Sequence, residues 1–223
     1  MRALFIILAS SFLLIACERS GIPAPSGTWD LGLGGEEEKL PEDTEKYLES
    51  KSKEPSADLQ KIAGIFEDYN LVLPNGNRIR VCSAYGCTNK DVYRLSSSLL
   101  RTAQGKLDGD EKNGIAKALE AVEAEMGPAV GTKEDRQGGP WWGNGNSGQM
   151  NATDEALNTT SILLVFMNYD LLKEHDVLAP EHKNNAMYAV IRDRKTGKKW
   201  GIDAGYRQHG GEIKVFDWEN DAP

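Results

Sequence analysis

Asn151-Ala152-Thr153-Asp154-Glu155-Ala156-Leu157-Asn158-Thr159-Thr160-Ser161-Ile162-Leu163-Leu164-Val165-Phe166-Met167-Asn168 combines a helix start, a helix body and a demand for burial in one segment. Asn151 or Thr153 can cap it, because a short polar side chain accepts from the unpaired amides of the first turn. Asp154 and Glu155 follow where the helix dipole favours negative charge. From Ile162 to Met167 the helix is apolar on every side, so this part must be enclosed by other elements.

What encloses it is read downstream. Ala186 to Ile191 predicts a strand with both faces apolar, Thr196-Gly197 a turn, Trp200 to Ala204 the returning strand, and Glu212 to Phe216 a third. A helix followed by such a run predicts an α+β fold, with helices packed on an antiparallel β-meander. If the hairpin closes around Thr196, Asp203 stands near Tyr188 and diagonal to Ala186 on one face.

Upstream, Asn75-Gly76 between apolar residues is a strong hairpin signal, since both positions accept positive φ. It predicts a first strand ending at Pro74 and a second in which Ile79 and Val81 alternate with Arg78 and Arg80. Two helices are expected next. One runs from Ser96 to Gln104 and stops near Gly105. The other runs from Asp110 to Met126, with Gly127-Pro128 ending it. Asp108 to Leu119 has a faint calcium-loop look, but Lys112 sits at a ligand position and Leu119 where the bidentate glutamate belongs, so it reads as a helix-capping loop. Residues 131–148 form a Gly/Asn-rich loop carrying Trp141 and Trp142, either a ligand-stacking platform or a plug onto the core.

The amino terminus has its own logic. Met1-Arg2 and the apolar run from Leu4 to Ala16 have the form of an export signal. The run falls short of the ~20 residues that span a bilayer. Leu14-Ile15-Ala16-Cys17 resembles the bacterial lipobox, which implies cleavage after Ala16 and lipidation of Cys17. The expected organisation is a signal peptide over 1–16, a lipidated acidic tether over 17–57, and a single domain over 58–223. The tether has four prolines and few apolar side chains to bury, ending near a short helix from Ala57 to Tyr69. Glu18, rather than an aspartate, after the cysteine favours the outer membrane, facing the periplasm, over the inner. The membrane is thus one expected partner.

A net charge of −8 excludes the basic footprint that nucleic-acid binding needs. Arg192, Arg194, Lys195, Lys198 and Lys199 form one basic cluster at a turn, read as a solvated hairpin tip. Of three cysteines, one is spent on lipid. That leaves Cys82 and Cys87, which outside the cytoplasm pair readily as a disulfide worth roughly 2 kcal/mol. Free thiols and a metal site stay open as alternatives, although His175, His182 and His209 lie at no ligand spacing and no metal or cofactor is expected.

Arg80-Val81-Cys82-Ser83-Ala84-Tyr85-Gly86-Cys87, Gly148 to Glu155, Asn158-Thr159-Thr160, Ala189-Val190-Ile191 and Ile202-Asp203 together resemble uncharacterised proteobacterial proteins with a transglutaminase-like, papain-related core. The resemblance spans about two thirds of the chain. It implies a cysteine at the helix start, a histidine ahead of the Ala-Val-Ile strand and an aspartate on the next. Here the cysteine position falls on Ala152 and the histidine on Ala186 or Met187, so only Asp203 is retained. A methyl group neither attacks an acyl carbon nor accepts a proton. The expected protein is therefore a non-catalytic envelope lipoprotein. Its cleft, near Trp141, Trp142, Asn151, Thr153 and Tyr188, would bind a peptide, a peptidoglycan fragment or an envelope protein. Two other readings are a structural or assembly role without a ligand, and a cysteine-dependent hydrolase or acyltransferase using Cys82 or Cys87.

Overall fold

The quoted segment folds as a helix over Ala152–Asn168, here α4. Asn151 supplies the cap. Its side-chain oxygen accepts from the amides of Thr153 at 2.8 Å and Asp154 at 3.0 Å, and Asp154 Oδ2 accepts the Asn151 amide in return. This reciprocal arrangement satisfies the first-turn donors. Ile162 to Phe166 are fully buried. The structure, a computed structural model, describes residues 56–135, 148–205 and 212–221, all within one compact unit. The expectations for residues 1–55, including Cys17, and for Trp141, Trp142 and His209 lie outside them.

Helix α1 spans Ala57–Asp68, capped by Ser56. Strands β1 (Arg78–Cys82) and β2 (Lys90–Arg94) pair antiparallel, with a 3-10 turn, Tyr85–Cys87, between them. Helices α2 (Ser97–Leu107) and α3 (Glu111–Val130) follow. After α4 come β3 (His175–Lys183), β4 (Ala186–Asp193), β5 (Lys199–Asp203) and β6 (Lys214–Asp217), a four-stranded antiparallel meander in that order. The expected α+β class holds.

Helix α4 packs on β1, β3 and β4. Strand alternation gives the sheet two faces. Val177, Ala179, Ala189, Ile191 and Ile202 belong to the main core with the helices. The other face carries a row formed by Leu178, Val190, Gly201 and Phe216, which are cross-strand partners. Gly201 is required there, since a Cβ would stand 2.1 Å from the Phe216 ring.

Several boundaries differ from the sequence reading. Asn75-Gly76 does turn, with Asn75 and Arg78 exchanging backbone bonds of 3.0 Å and Gly76 at φ 57°. The residues before it form no strand, because Leu71 donates back to the Phe66 carbonyl and Pro74 has no amide to give. The true partner of β1 is β2. Helix α2 passes Gly105 to end at Leu107. Helix α3 runs through Gly127 and Pro128 to Val130 and is capped by Gly131, which takes the left-handed φ of 79°. Pro128 forfeits one intrahelical bond near the end of the helix, and the buried Met126 and Val130 hold the last turn in place. Strand β3, unread in the sequence, sits at the sheet edge as the partner of β4. The loop before α3 is the capping loop expected, with Asp110 accepting from the Asn113 amide.

Glu111, the first residue of α3, joins the helical layer to the sheet. Its buried carboxylate accepts the amides of Lys173 at 2.6 Å, Glu174 at 3.0 Å and His175 at 3.0 Å, and meets His175 Nδ1 at 2.9 Å. Burial acts to raise its pKa, and His175 with these amides overcomes that, leaving it below the ordinary value. Glu111→Ala would orphan three amides at once. Chemical denaturation should show a loss of several kcal/mol, since a buried polar group left without its partner costs about 1–3 kcal/mol. Glu111→Gln, which keeps an acceptor, should cost less; equal losses would mean that the acceptor is unimportant.

Candidate functional site at the amino end of the central helix

The first turns of α4 carry the groups with unusual surroundings. Ala152 is the first helical residue and is half-buried, as are Asn151 and Thr153. Asn151 uses its side-chain oxygen on the cap. Asp154 is completely buried. Its Oδ2 accepts the Gly86 amide at 2.8 Å as well as that of Asn151, while its Oδ1 is buried with no hydrogen-bond partner. One turn on, Asn158 accepts the Cys82 amide at 2.7 Å and donates to the Cys82 carbonyl at 2.8 Å. Asp154 and Asn158 share one helix face because they are four residues apart. Together they hold the segment in which Cys82 and Cys87 are joined as a disulfide.

On the other side, the Glu155 carboxylate lies against Gly205, where a Cβ would come within 1.9 Å of Oε2. Gly205 follows β5, whose last residue is Asp203. The Asp203 carboxylate accepts the Gly205 amide, and burial raises its pKa against that bond and the charge of Lys214. Extending the β4–β5 register one step past Ala189 and Ile202 puts Tyr188 directly across from Asp203. Burial first, and the Asp203 charge second, raise the Tyr188 phenol. The Tyr188 ring packs edge-on against Phe216 and Trp218, with centroids at 5.2 and 6.4 Å.

Five acids converge here. Burial pushes Glu155 well above the ordinary carboxylate range, reinforced by the charges of Asp135, Glu123, Asp203 and Asp154. Asp154 is raised to about 6 by burial, against the amides of Asn151, Gly86 and Cys87 and the charge of Lys90. Asp135 accepts the Met150 amide at 2.9 Å, which fixes the approach to α4.

The site residues expected from sequence are partly assembled. Ala152 is at the helix start and Asp203 at the end of β5, as expected. Asp203 opposes Tyr188 with Ala186 diagonal to it, so a phenol occupies the position that faces the carboxylate. Met187 turns the opposite way from Tyr188, across from His182. His175 is bound to Glu111, and His182 is exposed on β3. Among the described residues, no thiol or imidazole stands in this site. Cys82 and Cys87 are oxidised and titrate no thiol. The basic turn is spent on ion pairs: Arg192 and Arg194 with Asp176, Lys198 with Asp217 and Lys199 with Glu181. Sequence reasoning missed the burial of Asp154 and the gathering of acids around the half-buried Glu155. The Asn151…Asp154 spacing of a capping box was the available signal for the first. Comparison with protein families, with curated proteins and with solved structures finds no match for this chain.

Asp154 and Glu155 bind protons more tightly folded than unfolded. The stability they contribute is therefore full below the ordinary carboxylate range and is lost as pH rises through their folded values. For Asp154 the interval from 3.8 to about 6 corresponds to a loss of about 3 kcal/mol. Groups held low, such as Glu111 and Asp176, act only below that window. Denaturation midpoints should therefore decline between about pH 4 and about pH 7. Glu155→Gln should raise the midpoint at the upper end and leave the lower end unchanged. A midpoint near neutrality no higher than that of the parent chain would contradict the burial of this acid.

Proposed function

We propose that this chain is a lipid-anchored cell-envelope lipoprotein whose folded part is a non-catalytic transglutaminase-like domain. Its cleft, at the amino end of α4, binds a peptide, a cell-wall fragment or a protein partner. The observation that carries the reading is Ala152. A helix start, with its favourable dipole, is where a thiol would be activated, and a methyl group stands there. Tyr188, its phenol raised further from deprotonation, is no base at neutral pH. A meander with a buried helix packed on it is the arrangement such a domain requires, which supports the kinship.

Export and lipidation rest on the leader and on Cys17. Among the described residues no helix is long and apolar enough to cross a membrane, which is compatible with attachment through acyl chains. The anchor would place the domain in the periplasm, at the outer membrane in preference to the inner. The reading requires no cofactor and no nucleic acid. A nucleophilic role for Cys82 or Cys87 would need their disulfide opened first.

One observation favours a purely structural role as the second reading. Tyr188, expected to line the cleft, is buried beneath Phe216 and Trp218.

The two are separable. The purified chain should cosediment with isolated cell-wall sacculi or capture envelope peptides without cleaving or transferring amide bonds. Ala152→Trp should lose that retention while keeping its circular dichroism spectrum. Turnover that disappears when Asp203 or Tyr188 is changed would overturn the inactive reading. The absence of any retention, or retention unaltered in Ala152→Trp, would leave the structural role. In cells, radiolabelled palmitate should enter the parent chain and not Cys17→Ser; an unlabelled parent chain would remove the anchor.

A further inference from the structure

We propose that the Cys82–Cys87 disulfide is the closed, oxidised form of a site for a thiophilic divalent cation, zinc in particular, with Asp154 as the third protein ligand. The two sulfurs and a carboxylate oxygen of Asp154 all lie within 4.8 Å of one another. Cys82 and Cys87 are 0% and 3% exposed and Asp154 0%. Two thiolates and a carboxylate at that separation need only small movements to reach the ~2.3 Å and ~2.0–2.2 Å bonds of a tetrahedral zinc centre. A solvent molecule would take the fourth position.

The independent observation is Asp154 Oδ1, a fully buried carboxylate oxygen with no hydrogen-bond partner in the oxidised protein. Buried acceptors are nearly always satisfied, so an orphan calls for an explanation, and an absent ion is one of the few. The other oxygen is held by the Gly86 and Asn151 amides. This is the outer support that orients a ligating carboxylate. Asn158 fixes the Cys82 backbone on both sides. Lys90 donates to the Cys87 carbonyl at 2.6 Å, placing a positive charge beside a centre whose three anionic ligands exceed the charge of the metal by one. Gly86 and Thr88, on either side of Cys87, are exposed, which gives a path from solvent.

Opening the site consumes a dithiol reductant. The dithiol gives two electrons and two protons, becoming a disulfide itself, while the Cys82–Cys87 bond breaks to two thiols. Metal binding then displaces both thiol protons to solvent. This proposal stands apart from the ligand reading of the helix cleft and does not need it.

The test uses the full chain carrying Cys17→Ser, so that Cys82 and Cys87 are its only cysteines. After reduction with a phosphine, cobalt(II) should produce a thiolate charge-transfer band in the near ultraviolet. The band should saturate at one equivalent and be displaced by zinc, and the unreduced protein should show none. Asp154→Asn keeps a carbonyl oxygen for the Gly86 and Asn151 amides and removes the anionic ligand. It should weaken cobalt by more than about tenfold, since loss of even an outer partner costs that much, with the circular dichroism spectrum unchanged. Absence of the band in fully reduced protein overturns the proposal. So does a band of equal affinity in Asp154→Asn, which would report two thiolates of an opened chain.

Discussion

The fold depends on how the polar first turns of an otherwise apolar helix are satisfied once the helix is buried. Ile162 to Phe166 leave α4 no solvent face, so its amino end goes inside with the rest. Asp154 and Asn158 would then be unpaired at a cost of about 1–3 kcal/mol per group. The 82–87 segment supplies the partners. Cys82 offers both backbone groups to one amide side chain, as a neighbouring strand would, and Gly86 turns its amide to the carboxylate. The disulfide holds this segment in shape, so the covalent link and the helix cap support each other.

The same burial gathers negative charge. An isolated buried carboxylate pays heavily for losing water and answers by holding its proton. Glu155 and Asp154 both do so, for the same leading reason and to different extents. Asp154 has the Asn151 and Gly86 amides to stabilise its charged form, whereas Glu155 faces four other acids. Glu155 also lies against Gly205, two residues past Asp203 at the end of β5.

The fold class was legible because its signals are local and redundant. Eighteen residues from Asn151 carry both a cap and an unbroken apolar body, and the Ala186 to Ile191 run can only be a strand buried on both faces. Register was legible too: a turn at Thr196-Gly197, once fixed, determines that Asp203 comes opposite Tyr188. What escaped was non-local. Lys90–Arg94 reads as a polar stretch, and only its pairing with Arg78–Cys82 makes it a strand. His175–Lys183 carries His, Asp, Pro, Glu and Lys and looks like a loop; pairing with β4 decides otherwise. Pro128 misled because a proline is read as a stop, whereas a core contact at Val130 can hold the last turn of a helix beyond it.

Position 152 belongs to the helix start, yet neither the cap nor the core uses its side chain. The cap depends on Asn151 and Asp154, and the body is held from Ala156 onward, so the residue between them need only be helical. Alanine is the residue with the least conformational cost there. A thiol at that place would be kept by its chemistry alone, because neither the cap nor the core uses it. Asp203 differs. Its carboxylate bonds the Gly205 amide and stands beside Lys214, so substituting it would disturb the turn that receives Glu155. Substitution at the two positions is therefore constrained unequally: the side chain at 152 serves neither the cap nor the core, whereas that of Asp203 serves the sheet. Asp203 is thus accounted for by its place in the sheet, whatever residue stands at position 152.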